Sequence, residues 1–117
     1  MRTIIFYRTE SGISPIEEFL DALPGKDAQK VVWVLKIVEE LDIVPKQYFK
    51  KLTGTDDIWE IRVQSRGKIY RILCFIDDGK AIILTNAFIK KSKKILKKEI
   101  QIAENRKHDY LRRKHYE

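Results

Sequence analysis

Between residues 58 and 88 the chain alternates apolar and polar side chains, which is the pattern of half-buried β-strands. Arg66-Gly67 marks a first tight turn, and Asp78-Gly79 is a strong two-residue hairpin signal. The pattern therefore predicts three antiparallel strands over residues 58–64, 69–76 and 81–88.

The N-terminal part predicts one strand and two helices. Residues 3–8 are short and β-branched, which favours a strand. Ser14 and Glu17 form a capping box, Pro15 suits the first helical position, and Pro24-Gly25 ends this helix. A second helix is predicted over about residues 27–42. Its apolar face contains Val31, Val34, Leu35, Val38 and Leu41, and is widened by Trp33 and Ile37.

Residues 43–57 predict a connecting loop. From about Ser92 the chain is rich in lysine and lacks Gly and Pro, which predicts a long final helix. Its apolar stripe contains Leu96, Ile100, Ala103, Tyr110 and Leu111. The order β-α-α-β-β-β-α indicates an α+β fold with a mainly antiparallel sheet and a basic C-terminal helix, in one domain spanning residues 1–117.

The two turns fix which side chains face each other across the predicted sheet. Arg62 lies opposite Arg71, and Arg71 lies opposite Asn86, so the three form a row across three strands. The arginine face also carries Glu60, Gln64, Ile69, Leu73, Phe75, Ile82, Leu84 and Phe88. The other face is nearly all apolar and is expected to pack under the helices: Trp59, Ile61, Val63, Tyr70, Ile72, Cys74, Ile83, Thr85 and Ala87.

Arginines directly opposite each other destabilise a sheet by roughly 0.2–1 kcal/mol, so the row needs an explanation. One interpretation is an anion site, because two planar donor forks on a rigid sheet suit a phosphate. The other is a surface salt-bridge cluster in which Glu60 compensates the charge. Both arginines are expected to lie at the surface. As an anion site they would matter to the reaction rate and hardly to stability, whereas in a static salt-bridge cluster they would matter to folding.

Net charge is confined to the C-terminal segment. Residues 1–89 hold 13 Lys/Arg and 13 Asp/Glu, whereas residues 90–117 hold 11 Lys/Arg and 4 Asp/Glu, which accounts for the formal charge of +7. This asymmetry favours nucleic acid or an acidic protein as partner, although a solvated, lysine-rich helix would have the same composition.

Other features of the sequence argue against several classes of protein. Cys74 is the single cysteine, so no internal disulfide forms, and it is expected to be a small core residue. Arg2 is followed by only a short β-like run, which does not predict a signal peptide, and no stretch approaches the length of a membrane span. A cytoplasmic location is expected.

An ordered set of motifs resembles the RelE/HigB-like toxins of bacterial type II toxin–antitoxin systems, particularly the compact phage-derived HigB-like branch. The motifs are KKLTG (50–54), IWEIRV (58–63), YRILCF (70–75), ILTNAFIKKSKK (83–94) and EIQIAENRKHDY (99–110). The resemblance implies a small endoribonuclease that cuts mRNA on the ribosome and is neutralised by a helix-turn-helix antitoxin. It also implies metal-independent cleavage without a cofactor, in which the RNA 2′-hydroxyl attacks the adjacent phosphate.

The same resemblance assigns roles to individual residues. Arg71 matches the phosphate-binding arginine, Arg62 the second arginine, and Lys51 a loop lysine; these three are the implied catalytic residues. The implied RNA-binding residues are Lys50, Lys90, Lys91, Lys93, Lys94 and Asn86. Ile95-Leu96 stand where the family often has a proline. Tyr110, His108 and His115 are candidates for the acid and base by residue type alone.

Two other functions stay open at this point. A phage-derived regulator could keep the fold as a non-catalytic nucleic-acid- or protein-binding module, which the missing acid and base residues favour. A toxin acting on DNA gyrase is a third alternative, because similar folds host that activity.

Overall fold

The computed structural model describes residues 1–95 and 97–115. They form an α+β fold, as predicted, with these elements: β1 (Thr3–Phe6), α1 (Pro15–Asp21), α2 (Gly25–Glu40), β2 (Phe49–Lys51), β3 (Trp59–Ser65), β4 (Lys68–Asp77), β5 (Ala81–Ile89) and α3 (Lys97–His115). The three-residue strand β2 lies inside the segment that was predicted to be a loop.

The N-terminal helices follow their sequence signals. The Ser14 side chain caps α1 by accepting a hydrogen bond from the Glu17 backbone N–H at 3.2 Å. α2 then begins at Gly25. Its predicted buried face is confirmed at Val31, Val34, Leu35 and Val38. Trp33 and Leu41 are 48% and 44% exposed, so this apolar face extends into solvent, and Leu41 follows the last residue of α2.

The five strands form one open, mostly antiparallel sheet in the order β1-β5-β4-β3-β2. β1 runs parallel to β5, and the other neighbours are antiparallel. The first hairpin has the predicted register, with Arg62 opposite Arg71. Its turn residues Arg66 and Gly67 both have positive φ angles, of 49° and 79°, which is the tight-turn geometry that matches strand twist.

The second hairpin departs from the predicted register in two places. Asp77 pairs with Ala81, so the connection has three residues rather than two. This one-residue shift turns Ile82 and Leu84 to the α1/α2 face and Ile83 to the α3 face, opposite to the prediction. A β-bulge between Leu73 and Cys74 then shifts the register again.

Both faces of the sheet are covered. One face packs against α1 and α2 through a core that includes Val34, Ile61 and Ile72. The other packs against α3 through Leu73, Phe75 and Ala103. The arginine face was expected to lie at the surface, and the structure instead places much of it beneath α3.

α3 begins at Lys97, five residues after the predicted start at Ser92. Its apolar stripe is confirmed for Ile100, Ala103, Tyr110 and Leu111, which pack in the second core, whereas Leu96 lies outside the described residues. Within the described part of the chain, no helix is long and apolar enough to span a membrane.

A buried carboxylate ties α2 to the first hairpin. Asp27, with no exposed surface, accepts hydrogen bonds from Tyr70 Oη at 2.5 Å, Ser65 Oγ at 2.7 Å and Arg66 Nε at 3.0 Å. These bonds, led by the one from Tyr70, hold the pKa of Asp27 far below its usual range. The network fixes the hairpin that carries both arginines.

Asp27→Asn is therefore expected to lower the melting temperature at neutral pH by roughly 5 °C or more, because donors aimed at a carboxylate lose their charged acceptor. Since the folded-state pKa is depressed, this stabilisation is present above the unfolded pKa near 4 and is lost as pH falls. In thermal melts, the difference in melting temperature between Asp27→Asn and wild type should become smaller below about pH 4. Exposed Asp21→Asn is the control, and an unchanged melt for Asp27→Asn would contradict this role.

Candidate anion-binding site

Arg62 and Arg71 are opposite neighbours on β3 and β4, as the sequence predicted. Their exposure differs, however. Arg71 is only 4% exposed, whereas Arg62 is half-buried. The prediction of a surface position is therefore wrong for Arg71, because α3 and the segment before it cover this part of the sheet.

Glu60 is the buried counter-charge of the pair. It lies opposite Leu73, one diagonal step from Arg71, and is 1% exposed. Its Oε2 lies 3.2 Å from Arg71 Nη1, close enough for an ion pair but not aligned as a hydrogen bond. The sequence suggested Glu60 as compensation near Arg62, and the structure pairs it with Arg71.

Several polar atoms in this cluster lack a hydrogen-bond partner. Among the described residues, Arg62 Nε, Arg71 Nε and both Glu60 carboxylate oxygens are buried without one. Unpaired buried donors carry a desolvation penalty that an incoming acceptor would relieve. Because the two Nε–H groups are themselves buried close to the Glu60 carboxylate, an anion reaches them only when these side chains move.

Lys90 adds a third cation at the end of β5. Its backbone N–H donates to Ile69 O at 2.7 Å, which holds the residue against β4. The pKa of Lys90 is lowered, first by burial and then by repulsion from Arg62 and Arg71, while Glu60 opposes the shift. Lys90 and Arg71 line the same cleft, and Arg62 lies opposite Arg71 on β3.

A cleft of about 480 Å³ opens beside these cations. It is lined by Arg71, Phe88, Ile89, Lys90, Lys91, Ser92, Lys94, Lys98 and Glu99. A neighbouring cleft of about 400 Å³ contains Lys93, beside the turn at Gly67 and Lys68. We call the first of these the arginine cleft. It combines a cationic wall with apolar surface, an arrangement that can hold a phosphate and its attached nucleoside.

Asn86 does not belong to the arginine row. Because of the β-bulge, Arg71 lies opposite Phe88, and Asn86 lies opposite Leu73. Asn86 is buried, and its Nδ2 donates to the Glu99 backbone oxygen at 3.2 Å and to Glu99 Oε1 at 3.1 Å. Asn86 therefore anchors the beginning of α3, and the predicted row of Arg62, Arg71 and Asn86 is wrong at its third member.

Lys50 and Lys51 line a different groove from Lys90 and Arg71. They stand on β2 at the sheet edge, where Lys51 Nζ forms an ion pair with Asp57 at 2.7 Å. Of the predicted residues, Arg71, Lys90, Lys91 and Lys94 line the arginine cleft, Lys93 lines the cleft beside it, and Arg62 lies opposite Arg71 on β3. Lys50 and Lys51 lie on the edge strand β2, where Lys50 is opposite Glu60.

The candidate acid and base residues from α3 do not line the arginine cleft. His108 Nε2 lies 3.2 Å from Asp56 Oδ2 on the surface, and Tyr110 packs edge-on against Phe75. His115 is exposed at the end of α3. The residues of α3 that do line the cleft are Lys98 and Glu99. The sequence did not point to them, because their position near Arg71 depends on how α3 packs on the sheet.

Together, this fold and site define a small α+β protein with a cationic cleft suited to a phosphate-bearing ligand. A family model described as Phage derived protein Gp49-like (DUF891) matches residues 18–108. The match covers more than half of the chain, which therefore belongs to this family, a toxin family of RelE/HigB-like type. No curated protein matches the chain.

Proposed function

We propose that this chain is the toxin of a type II toxin–antitoxin system and cleaves mRNA on the ribosome. The observation that carries the proposal is the cationic cleft lined by Arg71 and Lys90, with Arg62 opposite Arg71 on the neighbouring strand. Membership of the Gp49-like family supports the toxin role. A helix-turn-helix antitoxin is the partner that this function would require.

The proposed reaction needs few protein groups because the nucleophile belongs to the RNA. The 2′-hydroxyl gives its proton to solvent, its oxygen forms a bond to the adjacent phosphorus, and the bond from phosphorus to the 5′-oxygen breaks. The products are a 2′,3′-cyclic phosphate and a 5′-hydroxyl. Arg62 and Arg71 would stabilise the negative charge that grows on the non-bridging oxygens, which is where preorganised cations accelerate reactions most.

Lys90 would protonate the departing 5′-oxygen. Its lowered pKa makes its ammonium group a better proton donor than an ordinary lysine, and it lines the arginine cleft together with Arg71. We expect Lys90→Arg to keep RNA affinity, since the positive charge remains, but to reduce the single-turnover cleavage rate by about 10²-fold or more. Equal losses in affinity and rate would assign Lys90 to binding alone.

The lysines around the arginine cleft are expected to carry much of the RNA affinity. Neutralising the exposed Lys91, Lys93 and Lys94 together should reduce the magnitude of the slope of log K against log[salt] by about 2, since each lost contact removes about 0.7 for a single strand. The matched control neutralises exposed Lys26, Lys36 and Lys80, none of which lines either of these two clefts. Equal slopes for the two triple variants would mean that these lysines do not contact RNA.

A non-catalytic nucleic-acid-binding regulator is the second candidate. The observation that favours it is the near-complete burial of Arg71 against Glu60, which already neutralises part of its charge. Such a protein would bind RNA with the same salt dependence and leave it uncut.

Induction in a bacterium distinguishes the two candidates. The toxin is expected to stop growth and deplete translated mRNAs, and co-expression of an adjacent helix-turn-helix gene product should restore growth. An Arg62→Ala variant at the same soluble level is the control. Normal growth with abundant soluble wild-type protein would favour the non-catalytic regulator.

A further inference from the structure

The arginine cleft contains one carboxylate among its cations. The charged residues that line the cleft, among those that the structure describes, are Arg71, Lys90, Lys91, Lys94, Lys98 and Glu99. Of these only Glu99 is negative, and it lies in the first turn of α3. A negative charge repels a bound phosphate, so Glu99 weakens the binding for which the rest of the cleft is suited. Its presence there needs a reason in the chemistry or in folding.

Buried side chains of β5 hold the Glu99 side chain in place. Thr85 Oγ1 donates to Asn86 Oδ1 at 2.7 Å, which turns the amide nitrogen of Asn86 toward Glu99. Asn86 Nδ2 in turn donates to Glu99 Oε1 at 3.1 Å. Thr85 and Asn86 are both buried, so the sheet itself fixes the position of the carboxylate.

The second oxygen of Glu99 is available to a ligand. Oε2 forms no hydrogen bond or ion pair with the residues that the structure describes. The side chain is half-buried and lines the cleft, so one oxygen is held by the protein and the other can accept a proton. Glu60, the other carboxylate near Arg71, is 1% exposed and does not line the cleft.

Glu99 and Lys90 lie on either side of Arg71. Asn86, Phe88 and Lys90 follow one another at two-residue steps along β5 and its end, and Phe88 lies opposite Arg71. Glu99 is held at the Asn86 end of this series, and Lys90 stands at the other end. A displacement at phosphorus has its attacking and leaving oxygens on opposite sides, so it needs a base on one side and an acid on the other.

We infer that Glu99 is the general base of the cleavage reaction, an inference that rests on the proposed function. The proton of the 2′-hydroxyl passes to Glu99 Oε2 while the 2′-oxygen forms its bond to phosphorus. The bond from phosphorus to the 5′-oxygen breaks, and this oxygen takes a proton from Lys90. Glu99 then releases its proton to solvent, and Lys90 takes one up from solvent.

Glu99→Gln tests this role in the full chain, because the amide keeps an oxygen for Asn86 Nδ2 and loses the basic oxygen. The single-turnover rate of mRNA cleavage on ribosomes should fall by about 10²-fold or more. Affinity for the same RNA with a 2′-deoxy nucleotide at the cleaved position should equal or exceed that of wild type, since a repelling charge has left the cleft. The control Glu104→Gln changes another α3 carboxylate, which accepts the Asp56 N–H at 3.0 Å outside the cleft, and should cut at the parental rate.

A modified RNA separates the base from the acid. With sulfur in place of the 5′-oxygen the leaving group needs no proton, because a thiol is a much stronger acid than an alcohol. This RNA should restore most of the rate of Lys90→Arg and none of the rate lost in Glu99→Gln.

Three results would overturn the inference while wild type still cuts RNA. They are parental cleavage by Glu99→Gln, recovery of this variant on the sulfur RNA, and a rate loss that is matched by equal losses of RNA affinity and of melting temperature. The last result would make Glu99 a structural anchor for the beginning of α3. Wild type that leaves RNA intact would instead contradict the proposed function, and the inference would fall with it.

Discussion

Arg71→Leu is expected to lower the free energy of unfolding by about 3–5 kcal/mol and to abolish RNA cleavage. The stability loss follows from burial: Arg71 is 4% exposed, and its removal leaves the Glu60 carboxylate, 1% exposed, without its counter-ion. The catalytic loss follows from the missing guanidinium at the phosphate. Urea denaturation and a cleavage assay measure the two effects separately.

A double variant separates folding from function at this position. In Glu60→Leu/Arg71→Leu both charges are gone, and replacing a buried ion pair by apolar residues is often neutral or stabilising. We expect its stability to return close to that of wild type while cleavage remains absent. A double variant that is as unstable as Arg71→Leu would contradict the ion-pair account, and one that cuts RNA would remove Arg71 from the proposed mechanism.

Arg62→Ala is expected to lose cleavage by ~10²–10³-fold with little change in fold. Arg62 is half-buried, its Nε has no acceptor in the described structure, and its like-charged neighbour Arg71 gains from its removal. The free energy of unfolding should therefore stay within about 0.5 kcal/mol of wild type or rise slightly. Rates of single-turnover cleavage, alongside thermal melts, test both parts.

Two comparisons sharpen the Arg62 prediction. Arg62→Lys should recover only part of the rate, because an ammonium cannot reproduce the planar donor fork. Arg112→Ala removes an exposed arginine paired with Asp109 on α3 and should cut at the parental rate. If Arg62→Ala destabilises the protein as much as Arg71→Leu, Arg62 is part of the structural ion-pair cluster.

The first hairpin could be predicted from the sequence because local chemistry fixes it. Arg66-Gly67 adopts the positive φ angles that a tight turn requires, and a two-residue turn at this position sets Arg62 opposite Arg71. The helix cap at Ser14 and the buried face of α2 were predictable for the same reason. The likeness to RelE/HigB-like toxins is confirmed at the level of the Gp49-like family.

The features that were missed depend on contacts distant in sequence. The β-bulge at Leu73/Cys74 has no marker such as Gly or Pro, and it moves Asn86 out of line with Arg71. β2 has only three residues and forms because β3 offers it an edge. The burial of Arg71 could be predicted only by knowing that α3 packs on the arginine face. Pattern alone could assign the residues of β3 and β4 to faces, but it assigned Ile82, Ile83 and Leu84 of β5 wrongly and did not reveal what covers the sheet.

The most direct measurement of the central claim is mapping of 5′-hydroxyl RNA ends in cells that express wild-type protein or Arg62→Ala at equal soluble levels. The account predicts new 5′-hydroxyl ends within translated mRNAs for wild type, matched by 2′,3′-cyclic phosphate ends upstream, and their loss in Arg62→Ala. Wild-type cells that arrest without such ends, or equal cutting by both proteins, would contradict RNA cleavage at the arginine cleft.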